Sequence, residues 1–408
     1  MTNIASPESL GMCSQRLARI DKFLVDQYIA PGKMPCALLQ VARQGQVVHQ
    51  SVLGHASLEE GTPLREDSIF RIYSITKPVT SVAFMMLVEA GQVALDDPVH
   101  RYIPAWRDLG VYRSGLPGNF QTSPTASPMR IVDLLRHTSG LTYGFQMRTS
   151  VDAAYRRNRV EPFEQADGLD GFIDQLSQLP LEFTPGSAWN YSVATDVLGY
   201  LIGKISGVPF DEFLRQRIFE PLGMADTAFH VGEDKAARLA QCYVKSAAGT
   251  LMPAPGRTFR EPPAAPSGGG GLVSTASDYM RFCEMLRQGG ALGDVRLLGP
   301  KTLRLMRSNH LPGGRELADM AVSMFSEATY AGVGFGLGFA MTTDVVKTGL
   351  AGTVGEYWWG GLASTAFWID PVEDLSVVFL TQLIPSSLYP IRRELRTMVN
   401  AAVLDSKA

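Results

Sequence analysis

The 408-residue chain has no long apolar run, no block of like charge and few cysteines, and each lack removes a class of function. Its longest apolar stretch, Val79–Ala90, is broken by Thr80, Ser81 and Glu89 and is too short to span a bilayer. Met1–Cys13 lacks the positive head and apolar middle of a secretory leader, so a cytoplasmic location is expected. The 37 basic and 40 acidic residues leave a net charge of −3 with no basic cluster. Neither nucleic acid nor an anionic membrane is therefore expected as a partner. Four cysteines (Cys13, Cys36, Cys242, Cys283) stand apart without metal-ligand spacing and read as reduced, structural thiols. The six histidines include no H-E-x-x-H, so no metal or other cofactor is expected. There is no G-x-S-x-G, which excludes a nucleophile elbow of the α/β-hydrolase kind.

What is present is an ordinary folded composition, 45% apolar and 19% charged. Leu17, Ile20, Phe23 and Leu24 recur at helical spacing over 15–28, and Pro31-Gly32 ends that helix. Two β-like runs, 37–43 and 46–54, flank a short turn and read as a hairpin. A helix apolar almost all round opens near Ser74, runs to Glu89 and stops at Gly91, which predicts a central, buried position. Further helices are expected over 131–137, 171–179, 194–206, 210–219 and 277–288. The Pro- and Gly-rich stretch from Met252 to Gly271 reads as a loop reaching a cleft. Beyond Gly334 come β-like runs over 335–342, 357–361, 365–370 and 375–383, then an amphipathic helix over 391–404. Strands at both ends with helices between predict an α+β chain. An antiparallel sheet would be built from residues 1–70 and 332–408, with a mainly helical domain, 71–331, inserted between them. Ligand sites favour such boundaries.

Ser74-Ile75-Thr76-Lys77 is an S-x-x-K pattern, which arises often by chance and needs context. Here it opens the most apolar helix, where residues three apart share a face. A serine there sits among free N–H groups at the positive end of the helix dipole, which suits a developing oxyanion. An amine carried into apolar surroundings is suited to accept a proton near neutral pH. The alternative is a surface Ser and Lys on an ordinary helix, which the helix composition opposes. His137, ending a helix before Thr138-Ser139-Gly140, reads as a cap or hydrogen-bonding residue.

Phe70-Arg71-Ile72-Tyr73-Ser74-Ile75-Thr76-Lys77-Pro78 resembles the nucleophile motif of the serine β-lactamase and penicillin-binding-protein superfamily, in its class C-like branch. Leu134–Leu141, Pro185–Ser192 with its Tyr191, Pro221–Met224 and Gly269–Leu272 are similar to further landmarks of that branch, in order along the chain. The resemblance implies the β-lactamase/transpeptidase-like fold. That superfamily's third motif is K-T-G on a strand. Lys347-Thr348-Gly349 matches its letters but has no clear partner strand, whereas Trp359-Gly360-Gly361-Leu362 precedes one. A W-G-G here resembles the family VIII carboxylesterases. Val193 also stands where the β-lactamases carry an amide-binding asparagine. Both departures remove polar recognition of a carboxylated amide, which implies neutral esters as the small-molecule substrate.

The mechanism so implied has Ser74 attack an ester carbonyl while Lys77 and Tyr191 take and return protons. The backbone N–H groups of Ser74 and Leu362 would hold the oxyanion. Gly360 and Gly361 would let the strand approach the substrate. Trp359 serves equally as substrate contact or packing residue, and Tyr143 fits core packing better than cleft lining. A β-lactamase, D-aminopeptidase or acyltransferase using the same serine, or a sensor without turnover, are the rival readings. The sequence does not speak to oligomeric state.

Overall fold

The computed structural model describes residues 3–322 and 330–408. Strands β1 (Cys36–Arg43) and β2 (Gln46–Ser57) form the expected hairpin. Gln44 and Gly45 take positive φ, +52° and +79°, as a two-residue turn matched to strand twist requires. They are joined by β3 (Thr62–Pro63), β4 (Val333–Phe335), β5 (Ala340–Thr342), β6 (Tyr357–Gly360), β7 (Ala366–Asp370) and β8 (Leu375–Leu380). The order across the sheet is β4-β5-β6-β7-β8-β1-β2-β3, and every pairing is antiparallel. The two ends of the chain meet at the β1–β8 pair, where Leu38 opposes Leu380.

The run 335–342, expected as one strand, is instead a hairpin of β4 and β5. Gly338 reverses the chain at φ +101°. Gly336 packs so close to the Met306 carbonyl that a Cβ would lie 2.1 Å from it. Apolar content suggested continuous extension there; the glycines allow the reversal.

Along β1 the side chains alternate between two cores. Cys36, Leu38 and Ala42 belong to the larger core, and Ala37, Leu39 and Val41 to a smaller one on the other face. Five helices position the rest: α1 (Ser14–Leu24), α2 (Thr76–Glu89), α3 (Ala194–Ser206), α4 (Ala276–Arg287) and α5 (Ile391–Ala402). Helices α1 and α5 pack together and close the smaller core with Leu17, Ile20, Leu24, Leu395 and Val399. Helix α4 lies on β8 and β1 from the other side. Helix α2 is buried over nearly its whole length, as its composition predicts, and packs against α3. Its Pro78 lies in the first turn, where no intrahelical bond is lost. Among the described residues no helix is long and apolar enough to cross a membrane.

Candidate active site

Ser74 lies in a single 3₁₀ turn, Tyr73–Ile75, that leads directly into α2. The residue before it, Tyr73, is left-handed at φ +46°, a conformation that costs a non-glycine residue roughly 1–2 kcal/mol. Strain at this one residue turns the chain sharply into the helix and brings Ser74 onto the wall of a cavity of about 540 Å³. One helical turn on, Lys77 is 2% exposed and donates from Nζ to the Gly269 carbonyl at 2.7 Å. The Ser74 Oγ makes no hydrogen bond to a described residue, and bonds of this kind commonly tighten only when substrate is bound.

Tyr191 arrives from the segment just before α3, so the two motifs sit at the starts of two packed helices. Its ring lies beneath Lys77, with Nζ 4.4 Å from the ring centroid, and it lines the same cavity as Ser74. Tyr143 also lines the cavity while 95% of its surface is buried, since it is 5% exposed; its ring centroid is 5.3 Å from that of Tyr191. It therefore combines packing with cleft lining. His137, at φ +58°, meets Ser192 Oγ through Nδ1 at 3.3 Å, in keeping with its expected structural role.

Above these groups runs the glycine-rich loop, held by a residue the sequence analysis missed. Asp196, in the first turn of α3, accepts from Ser267 Oγ at 2.5 Å and from the Gly269 N–H at 2.8 Å. Thr80 Oγ1 donates to the Gly268 carbonyl at 2.8 Å. A Cβ on Gly269 would fall 2.5 Å from Asp196 Oδ2 and 2.7 Å from the Tyr143 hydroxyl, so only glycine fits. An acid in the first turn of a helix reads as a dipole partner. That ordinary role hides Asp196 in the sequence.

The electrostatics around Lys77 follow from burial. Burial raises the Asp196 carboxyl above its ordinary range, and Lys77 opposes the shift. Burial and the neighbouring Asp196 push Glu161, which also lines the cavity, up to about 8. Burial and the positive charge of Lys77 hold His137 well below the usual imidazole value. Glu161 thus folds protonated, and this carboxyl holds a proton in the native chain that it lacks in the unfolded chain between pH 4.5 and about 8. The contribution of Glu161 to stability therefore falls as pH rises through that window, while that of His137, buried without its proton, runs the other way up to the usual imidazole range. Glu161→Gln is expected to raise the melting temperature at pH 8.5 by roughly 2–4 °C while leaving it unchanged at pH 4.5. Thermal denaturation at the two pH values checks this, and an equal gain at both would mean that the carboxyl's charge is not involved.

The third side of the cavity is the end of β6 and the turn after it. Strand β6 pairs with β7, the strand expected to follow the W-G-G run, with Trp359 opposite Phe367 and Gly360 opposite Ala366. Trp359 is half-buried, lines the cavity and lies 5.5 Å from the Tyr191 ring, centroid to centroid. Gly360, Gly361 and Leu362 line it too, and Leu362 is 44% exposed. The two glycines have a use that the sequence did not suggest. A Cβ on Gly360 would meet the Arg392 guanidinium carbon at 2.5 Å, and one on Gly361 would meet the Ile72 carbonyl at 2.4 Å. The missing side chains seat α5 on one side and the Ser74 segment on the other.

Lys347, by contrast, lies within a short helix, Val345–Thr348, and pairs with Glu316 at 2.7 Å. Gly349 caps that helix in the left-handed region, and the three residues form no strand. Lys347→Ala should leave ester turnover within about twofold of wild type, as an exposed ion pair contributes little. Thr348 of the same triplet lines the cavity, so steady-state kinetics decide the part of Lys347 alone, and a loss of tenfold or more would give its amine a role in turnover.

The beta-lactamase family profile matches residues 23–396. Esterase EstB of Burkholderia gladioli is 32% identical over 389 residues, covering 89% of this chain and 90% of its own. Protein Rv1367c of Mycobacterium tuberculosis is 35% identical over 358 residues, 87% of each chain. Among solved structures, EstCE1, described as a hydrolase with promiscuous acyltransferase activity, superposes with a TM-score of 0.78 at 26% identity, over 98% of this chain and 99% of its own.

Proposed function

The chain belongs to the beta-lactamase family, in its ester-hydrolysing family VIII branch, and on that footing we propose that it cleaves short- to medium-chain acyl esters through an acyl-enzyme on Ser74. The observation that carries this reading is the convergence of three groups. Lys77 Nζ lies over the Tyr191 ring, and Ser74 and Tyr191 line one cavity. Ser74 Oγ bonds to the acyl carbon while its proton passes to the Lys77–Tyr191 pair. The negative charge that develops on the carbonyl oxygen is received by the backbone N–H groups of Ser74 and Leu362. Tyr191 then gives a proton to the departing alkoxide. Water, deprotonated by the same pair, attacks the acyl carbon, and the acid leaves as Ser74 regains its proton.

The walls support an acyl substrate. Trp359, Phe145, Phe163 and Phe259 give the cavity an aromatic lining against which an acyl or alcohol chain is desolvated. The cleft would lie between a sheet-bearing part, 1–70 and 332–408, and a mainly helical part, 71–331. A short p-nitrophenyl ester set against a cephalosporin tests the reading. We expect rapid release of nitrophenol and negligible opening of the β-lactam, and the reverse preference would make the protein a β-lactamase.

A further inference from the structure

We propose that Arg392 is a positioning residue for ester hydrolysis, polarising the peptide unit whose N–H, that of Leu362, receives the oxyanion. The proposal rests on the catalytic reading above and adds to it a group from α5 that the motifs do not include.

Arg392 is the second residue of α5, and its Nη2 donates to the Gly361 carbonyl at 2.5 Å and to the Thr365 carbonyl at 2.9 Å. The Gly361 carbonyl and the Leu362 N–H are the two ends of one peptide unit. A cationic donor on the oxygen draws electron density from the nitrogen and makes the N–H a stronger donor. The Ser364 N–H donates to the same carbonyl at 3.1 Å, so two donors act on it. Among the described residues the Leu362 N–H has no protein acceptor, and Leu362 lines the cavity.

The same guanidinium fixes where that N–H stands. The turn from 361 to 365 is closed by the Gly361 N–H on the Thr365 carbonyl at 2.8 Å, and Arg392 bridges the carbonyls at both its ends. Thr365 Oγ1 in turn donates to the Ile72 carbonyl at 3.1 Å, two residues before Ser74. A continuous chain of bonds therefore runs from α5 through the turn to the nucleophile segment. Gly360 makes room for the guanidinium. The neighbouring arginines of α5 are engaged elsewhere, Arg393 with the Gly349 carbonyl and Arg396 with Glu356.

The test compares Arg392→Gln, Arg392→Lys and Arg392→Ala with wild type. A polarising role predicts that Arg392→Gln lowers kcat on a p-nitrophenyl ester by roughly 10–100-fold, within what one oxyanion donor contributes, with KM within about twofold. Affinity for phenylboronic acid, whose serine adduct places an oxygen where the oxyanion forms, should fall in parallel. Arg392→Lys should recover part of kcat, and added methylguanidine should partly restore Arg392→Ala. A kcat for Arg392→Gln within threefold of wild type, or a lowered kcat with unchanged boronate affinity, overturns the proposal. So does a parallel loss of melting temperature and activity in the Gln and Lys variants without rescue, since a fold-holding arginine alone would behave so. Failure of the underlying reading looks different: wild-type protein would then form no acyl or boronate adduct on Ser74.

Discussion

Ser74→Ala is expected to abolish ester hydrolysis, lowering kcat/KM by about four to six orders of magnitude. The size follows from what the substitution removes and what it leaves. The backbone N–H at position 74 survives, as do the strained Tyr73 and the start of α2, so the cleft and both proposed oxyanion donors persist. Lys77 remains bonded to the Gly269 carbonyl and stacked over Tyr191. Only the atom that forms the acyl bond is lost. Because Ser74 Oγ makes no hydrogen bond to a described residue, the melting temperature should move by less than a degree or two, surface changes of this kind being worth within about 0.5 kcal/mol. Intact-protein mass spectrometry after a fluorophosphonate or a slow ester should find one adduct per wild-type chain, on the peptide containing Ser74, and none on the variant. Turnover near the wild-type rate would remove Ser74 from the mechanism and leave only the fold.

Parts of this architecture were legible from residue order because they follow local rules. Helix α2 declares itself by being apolar on every face, and β1 with β2 by two β-like runs across a short turn. The pairing of β6 with β7 was readable because a glycine pair precedes a run suited to a strand. Other features depend on neighbours far along the chain and leave no local mark. Tyr73 is left-handed without being Gly, Asn or Asp, the residues that signal that conformation. The hairpin Val111–Leu116 with Asn119–Ser123 went unmarked because it is largely exposed and shows no burial pattern, although Pro117-Gly118 supplies its turn. Asp196 reads as an ordinary helix-start acid and Arg392 as a surface residue of an amphipathic helix. Each is held in the cleft by contacts far along the chain, among them those spanning 53–73 residues for Asp196 and 27–31 for Arg392. Such groups support the chemistry rather than carry it, so motif spacing does not reach them.

Tyr191→Phe separates chemistry from packing more cleanly than any other substitution in the cleft. The ring is 7% exposed and lies against His137 at 5.2 Å, Tyr143 at 5.3 Å and Trp359 at 5.5 Å between centroids, with Lys77 above it at 4.4 Å. Phenylalanine keeps all of these, including the attraction of the ammonium to the ring face, and the backbone carbonyl still accepts from Gln146. The variant should therefore fold normally while losing the hydroxyl that we propose moves protons in both halves of the cycle. General acid–base groups contribute about 10²–10⁴-fold, and kcat/KM should fall within that range. Acylation and deacylation should both slow, because in the proposed mechanism the same hydroxyl protonates the departing alkoxide and helps deprotonate water. Stopped-flow release of nitrophenol resolves the two steps as burst and steady state. If deacylation alone slowed, Lys77 would be the base for Ser74, and Tyr191 would serve only the water. A variant that retained both rates would leave the phenol a packing residue and shift the whole proton traffic to Lys77.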